Sequence, residues 1–187
     1  MKYPNMVTLK NLCLKKGDNT MKKNRVENNI VLEGARIGFR NFSGKEGQYN
    51  PAGRRNFCVF LDPDHGRKLE SDGWNIRWLQ PRDEGDEPQA CLQVSVNFNN
   101  ISPKIVLITG NGKTTLLEKD VNQLDFAEIK SCDIIIRPYN WEVNGKTGVK
   151  AYLKTLYVEI AEDEFERKYY NTPDSAQNSQ AEELPFD

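Results

Sequence analysis

The alternation of apolar and polar residues is longest between Asp133 and Ile160, where two runs rich in β-branched and aromatic residues flank Asn144-Gly145. That pair is a strong hairpin signal, because both residues of a two-residue turn must accept positive φ. Such a turn also fixes register, so Val143 is predicted opposite Lys146 and each later pair steps outward by one residue on both strands. One face then carries Trp141 opposite Gly148, Tyr139 opposite Lys150, Arg137 opposite Tyr152 and Ile135 opposite Lys154. The other face sets Asn140 against Val149, Pro138 against Ala151, Ile136 against Leu153 and Ile134 against Thr155, and is mostly core.

Shorter patterns precede this hairpin. Ile30–Phe42 alternates, with Val31, Ala35, Ile37 and Phe39 on one side and Arg36, Arg40 and Phe42 on the other. Gly34 and Gly38 within it predict bulges or strong coiling, as in a strand that bends around a small barrel. A glycine-rich basic loop follows, carrying Lys45, Tyr49, Arg54 and Arg55. Asn56–Leu61 is apolar on both faces and reads as a central strand, and Asp62-Pro63 opens a short helix to about Ser71. Asn75–Gln80 is a strand, with Trp74, Ile76 and Trp78 sharing one side. Cys91–Phe98 is another, with Leu92, Val94, Val96 and Phe98 toward the core. Lys104–Thr109 and Lys113–Leu117 flank Gly110-Asn111-Gly112 as a second hairpin, and Asp120–Phe126 reads as one helical turn. Residues 162–170 form a short amphipathic pattern with Phe165 and Tyr169 at helical spacing. Strands dominate, with two or three short helices between them, so the expected class is mainly β, a small antiparallel barrel with disordered termini.

Only 37% of the 187 residues are hydrophobic, which suits one domain with polar tails. The division expected is a basic polar extension over 1–29, a domain over 30–170 and a disordered acidic tail over 171–187. Met21-Lys-Lys offers a second plausible translation start, and residues 1–20 are left out of the expected fold. The net charge of −1 hides an asymmetry. Residues 1–25 carry seven Lys and Arg against Asp18, while residues 159–187 carry nine Asp and Glu against Arg167 and Lys168. The middle is therefore neutral overall, and an anion site in it must be a local patch. No apolar run approaches 18 residues and no secretory pattern is present, so a cytoplasmic protein is expected. Cys13, Cys58, Cys91 and Cys132 show no CxxC spacing and are expected as reduced, mostly buried thiols.

Chemistry is best represented by the first hairpin face, which interleaves Arg137, Tyr139, Trp141, Lys150, Tyr152 and Lys154. Aromatic rings among cations suit single-stranded nucleic acid, where bases stack for roughly 1–3 kcal/mol each and cations follow phosphates. A solvated sheet face whose Lys and Arg stems lie over Tyr and Trp is the plain alternative. Gly110–Thr115, GNGKTT, lacks the first glycine of a phosphate loop, since Leu107 stands there, and precedes a strand rather than a helix. His65 is the only histidine, without a neighbouring Ser or Cys, and the acidic residues cluster in loops and tail. No enzyme, metal or cofactor is expected.

Together, FRNFSGKEGQYNPAGRRNFCVFLDP, IIRPYNWEVNGKTGVKAYLKTLYVEI and a polar linker ending in AEELPFD resemble the single-stranded-DNA-binding proteins of phages and prophages. The resemblance covers about residues 30–174, with the tip as a separate match to the acidic end of the bacterial proteins. It implies an OB-fold barrel that coats single strands in phage DNA replication and recombination. It also implies a bacterial host's cytoplasm and a binding surface that, by the register, falls on Arg137, Tyr139, Trp141, Lys150, Tyr152 and Lys154, joined by Arg40, Phe42, Tyr49, Arg54 and Arg55; the sequence leaves the oligomeric state open, with a homo-oligomer among the alternatives. Glu182, Glu183, Leu184, Pro185 and Phe186 would recruit replication or recombination proteins, the acids steering to a basic patch and the ring filling a pocket. The bacterial tip ends on Pro-Phe, whereas Asp187 follows Phe186 here. Two other readings remain: a phage interaction module that inhibits or recruits a host enzyme without binding DNA, and a structural β protein of the virion.

Overall fold

The structure, a computed structural model, describes residues 8–9, 25–48, 50–81, 85–110 and 112–161. The expected helix over 162–170, the acidic tail with Glu182–Phe186, Cys13 and Tyr49 lie outside the described residues. The strands are β1 (Thr8–Leu9), β2 (Ile30–Glu33), β3 (Arg36–Asn41), β4 (Arg55–Leu61), β5 (Ile76–Leu79), β6 (Gln89–Val96), β7 (Lys104–Thr109), β8 (Gly112–Leu116), β9 (Ile129–Val143) and β10 (Lys146–Ile160). One α-helix, α1 (Pro63–Ser71), and a 3-10 turn at Val121–Asp125 complete the described elements.

Asn144 and Gly145 take φ of 50° and 77°, the left-handed conformations that the turn demands, and β9 and β10 pair in the predicted register from Val143–Lys146 to Ile136–Leu153. There the register breaks. Lys154 is an extra residue, so that Thr155, not Lys154, faces Ile135, and Leu156 faces Ile134. The bulge resets the alternation: Val149, Ala151 and Leu153 are buried before it, and Leu156 and Val158 after it. It also marks a change of neighbour on the far edge of β10, where the parallel pairing passes from β6 (at Ala151–Tyr152) to β7 (at Thr155–Glu159).

The sheet runs β1-β2-β9-β10-β6-β4-β3, with β5 beside β6 and the β7–β8 hairpin beside β10. Strand β2, next to one end of this order, and β3, at the other end, are consecutive pieces of one bent strand. β2 pairs with β9, the chain turns at Gly34 (φ 62°), and β3 pairs with β4, with the Ala35 N–H donating to the Cys132 carbonyl at the bend. The result is mainly β and OB-like, a sheet curled toward a small barrel whose hydrogen-bond ladder is not closed. Two of its strand pairings, β10 with β6 and β10 with β7, are parallel, where an antiparallel barrel was expected; neither is a hairpin connection, so no tight turn forces them to be antiparallel. Residues 8–9, expected outside the fold, pair with Leu32 and Glu33 as a short edge strand.

Helix α1 begins as its sequence predicts. The Asp62 carboxylate caps the His65 N–H at 2.9 Å, Pro63 starts the helix, and His65 Nδ1 meets the other carboxylate oxygen, so the lone histidine serves the cap. The core collects Leu32, Phe57, Val59, Leu92, Val94, Leu107, Ile134, Ile136, Leu153 and Leu156 from every layer of the sheet. Cys58, Cys91 and Cys132 are buried free thiols, and burial with the nearby Asp133 charge pushes Cys132 up to about 12, so it stays protonated and unreactive. No helix among the described residues is long and apolar enough to cross a membrane.

The alternation expected for Ile30–Phe42 is overturned twice. Ile30, Leu32 and Ala35 are buried in place of a Val31–Ala35 series, because Gly34 shifts the phase. A second irregularity between Gly38 and Asn41 puts Phe39 outside, 67% exposed at φ 48°, and Phe42 inside, fully buried and stacked on Phe57 at 5.2 Å. The 3-10 turn secures this exchange: Asp125 accepts from the Phe42 and Ser43 N–H groups.

Ile136 is fully buried at the crossing of β2, β9 and β10. Ile136→Ala is expected to cost roughly 2–5 kcal/mol of stability, read as a lower midpoint in denaturant unfolding. An unchanged midpoint would place the core elsewhere.

Candidate nucleic-acid interface

Since Ile134, Ile136, Val149, Ala151 and Leu153 face inward, the residues between them form an outer face. Tyr152 is its hub. The Tyr139 ring meets it edge-on at 5.8 Å, Lys150 Nζ lies 5.0 Å from its centre and the Arg137 guanidinium 5.9 Å. Each cation rests on a ring rather than on a carboxylate, which keeps its charge available to an anion.

Trp141 is positioned by Gly148. A Cβ at Gly148 would stand 2.7 Å from the indole Cζ2 and 2.9 Å from Cε2, so the indole lies directly upon the strand backbone. The space that Gly148 leaves is filled by the indole itself. One side of the ring is seated and the residue is 36% exposed, a supported aromatic platform.

The ladders carry this face across the sheet. From Arg137 the row passes to Tyr152, Ser95, Asn56 and Asn41, spanning β9, β10, β6, β4 and β3, or about 19 Å at ordinary strand spacing. At the far side Phe60 sits over Gly38, whose Cβ would come 2.6 Å from the ring, with Arg36 4.7 Å above it and Phe39 edge-on at 5.9 Å. Rings thus stand at both sides of a floor of Ser95, Gln93 and Asn56, all half-buried. Below the bulge the same face continues with Tyr157, over which Lys104 lies at 5.5 Å.

Of the sequence-predicted residues, Arg137, Tyr139, Trp141, Lys150 and Tyr152 come together here, and exposed Lys154 stands at the bulge at the end of their row. Phe42, Arg55 and Arg40 do not join them. Phe42 is core, stacked on Phe57, and presents no ring face to a ligand. Arg55 falls on the inward side of β4 between Glu118, at 2.8 Å, and the Phe98 ring. Arg40 donates to the Ala127 carbonyl at 2.7 Å, and Arg54 is exposed in the loop before β4.

Phe39, Phe60, Gln93, Ser95 and Asn56 were not identified from sequence. The alternation of β6 does put Gln93 and Ser95 opposite its core residues. Joining that side to the Trp141 face depends on the parallel β6–β10 pairing, for which no local signal exists. Phe39 departs from the expected alternation because the irregularity after Gly38 shifts the phase of the strand.

Among the described residues no group of three or more His, Cys, Asp or Glu could hold a metal. Cys58 and Cys91 lie on this outer face in hydrogen-bond contact. That bond, opposed by burial and aided by Arg77, lowers Cys58, and it raises Cys91 together with burial.

Among solved structures, the single-stranded DNA-binding protein from bacteriophage Enc34 overlaps with a TM-score of 0.48 at 11% identity, over 72% of this chain and 82% of that one. The same protein in complex with ssDNA gives 0.47 at 9%, over 72% and 88%. The single-stranded DNA-binding protein gp2.5 encoded by bacteriophage T7 gives 0.33 at 12%, over 80% and 97%. No curated protein matches the sequence. The family model of the phage ssDNA-binding domain matches residues 19–185, nearly the whole chain, and the protein belongs to that family.

Proposed function

We propose that the Trp141 face is where this member of the family binds single-stranded DNA, largely without regard to sequence. In this reading it coats exposed strand during phage replication and recombination in the host cytoplasm, and performs no catalysis. The observation that carries the proposal is the Trp141–Gly148 arrangement: a large flat ring, supported from below, beside two cations held on Tyr152. Bases stack on such a platform because every base has a π-face, while Arg137, Lys150 and Lys154 meet the phosphates. The acidic end, Glu182–Phe186, would engage partner proteins when it is not competing with DNA for the basic face.

Trp141→Ala is expected to weaken binding to oligo-dT by about 1–3 kcal/mol while leaving the unfolding midpoint unchanged. A loss of fold, or full affinity, would refute the assignment of the face. Gly148→Ala should act in the same direction by lifting the indole from its seat, since the added Cβ falls 2.7 Å from the ring. If its affinity matches wild type, the seated ring is not the platform.

Tryptophan fluorescence separates the reading from its rivals, because Trp74 is buried and Trp78 half-buried. Quenching by oligo-dT but not by duplex, with log K falling by about 0.7 per phosphate neutralised against log salt, is the expected result. No affinity at low salt would refute it. Deleting residues 171–187 should tighten binding at low salt, and unchanged affinity would show that the tail does not compete.

A further inference from the structure

On the binding face the sheet has a notch. Strand β6 pairs with β5 as far as Leu92 and with β10 from Val94 onward, so Gln93 lies at the handover between two neighbours. The two neighbours are tied to each other above it. The Val149 N–H donates to the Gly73 carbonyl at 2.9 Å, and the Asn75 N–H donates to the Val149 carbonyl at 3.3 Å. The notch encloses about 260 Å³. Its floor is Leu92 and Ala151, Trp141 and Lys150 border it on the hairpin side, and Asn75, Gln93 and Ser95 supply its polar lining.

Among the described residues, the side chains of Asn75, Gln93 and Ser95 have no hydrogen-bond partner in the protein. Two amides and a hydroxyl on residues that line one cavity favour a particular ligand. A phosphate would meet amide oxygens as well as donors, and an apolar plug would strand all three groups. The edge of a nucleobase offers donors and acceptors side by side, which is what a primary amide pairs with. The volume lies below the roughly 300–1,000 Å³ of sites for drug-sized ligands, which suits one planar ring system.

We infer that this notch takes one unpaired nucleobase, bordered by Trp141 and read along its hydrogen-bonding edge by Asn75, Gln93 and Ser95. The inference rests on the single-stranded-DNA reading and deepens it: coating is general along the strand, but one base per bound protein is selected. It also gives a reason for excluding duplex, in which that edge is already paired.

The test compares wild type with the Asn75→Ala/Gln93→Ala double variant, by anisotropy titration with labelled oligo-dA, oligo-dC and oligo-dT of equal length at one salt concentration. Wild type should separate the three homopolymers, and in the variant the favoured one should lose roughly two- to tenfold in affinity, narrowing the spread. Asn75→Asp is isosteric at an exposed position, so the fold is kept. A carboxylate accepts from the cytosine amino group, so the ranking should move toward oligo-dC over oligo-dT. Equal affinities in wild type, or the same ranking and spread in all three proteins, would overturn the notch while leaving strand binding intact. Failure of every homopolymer to bind wild type would instead overturn the single-stranded-DNA reading, and the notch with it.

Discussion

Two adjacent residues in left-handed conformation, Asn144 and Gly145, set the positions of nearly everything else in this protein. Because side chains alternate along a strand, the register they impose decides whether Trp141, Tyr139 and Tyr152 face water or the core; a one-residue slip would exchange them with Ile136, Ala151 and Val149. The turn alone would not carry that order to the end of so long a hairpin. Without the extra residue at Lys154, Leu156 and Val158 would emerge on the outer face just where β10 leaves β6 and takes β7 as its neighbour. The turn sets the phase and the bulge resets it, and the curled sheet needs both.

What was legible in the sequence follows the same division. Signals contained in a few residues were readable: the Asn-Gly turn and its register as far as Leu153, the Asp62-Pro63 cap of α1, the central β4, and the β7–β8 hairpin. Each depends on local backbone chemistry. The two bulges were not readable in position, because a bulge is chosen by what the neighbouring strands require. Gly38 predicted an irregularity, but the exchange of Phe39 for Phe42 is settled by Asp125, which is 83 residues away along the chain and accepts from the Phe42 N–H. The site divided likewise. Its hairpin half is local, whereas Phe60, Gln93 and Ser95 join it only through a parallel pairing between strands more than fifty residues apart.

The electrostatics are short-ranged by construction. With a net charge of −1 the protein as a whole carries no excess of positive charge, so the proposed strand binding rests on local cations in contact and on stacking. The distribution of ion pairs agrees. Arg55 is committed to Glu118 and Lys130 to Glu159, away from the row of rings, while Arg137 and Lys150 lean on Tyr152. Resting a cation on a ring restrains its side chain without neutralising it, which lowers the entropy lost when a phosphate arrives.

The proposed stacking platform requires a ring that holds its place, and the outer half of a two-stranded ribbon is ordinarily its weakest part. Strands β9 and β10 have 15 residues each, about 50 Å of ribbon, and the pairing of β9 with β2 stops at Ile136, so among the described residues no strand continues that ladder along the outer half of β9. Pro138 stands in that open stretch, where a missing N–H leaves no strand partner unsatisfied. Two residues on, the Asn140 side chain takes the place of a strand: its carbonyl accepts from the Val26 N–H at 3.0 Å and its amide donates to the Val26 carbonyl at 2.7 Å. On the opposite edge Val149 is bonded on both sides to the segment after α1, through Gly73 and Asn75. These two clamps lie at the level of Trp141 and Gly148, next to where the core ends. The ribbon is therefore held where the ring is seated, although the residues beyond it, from Glu142 to Thr147, are exposed.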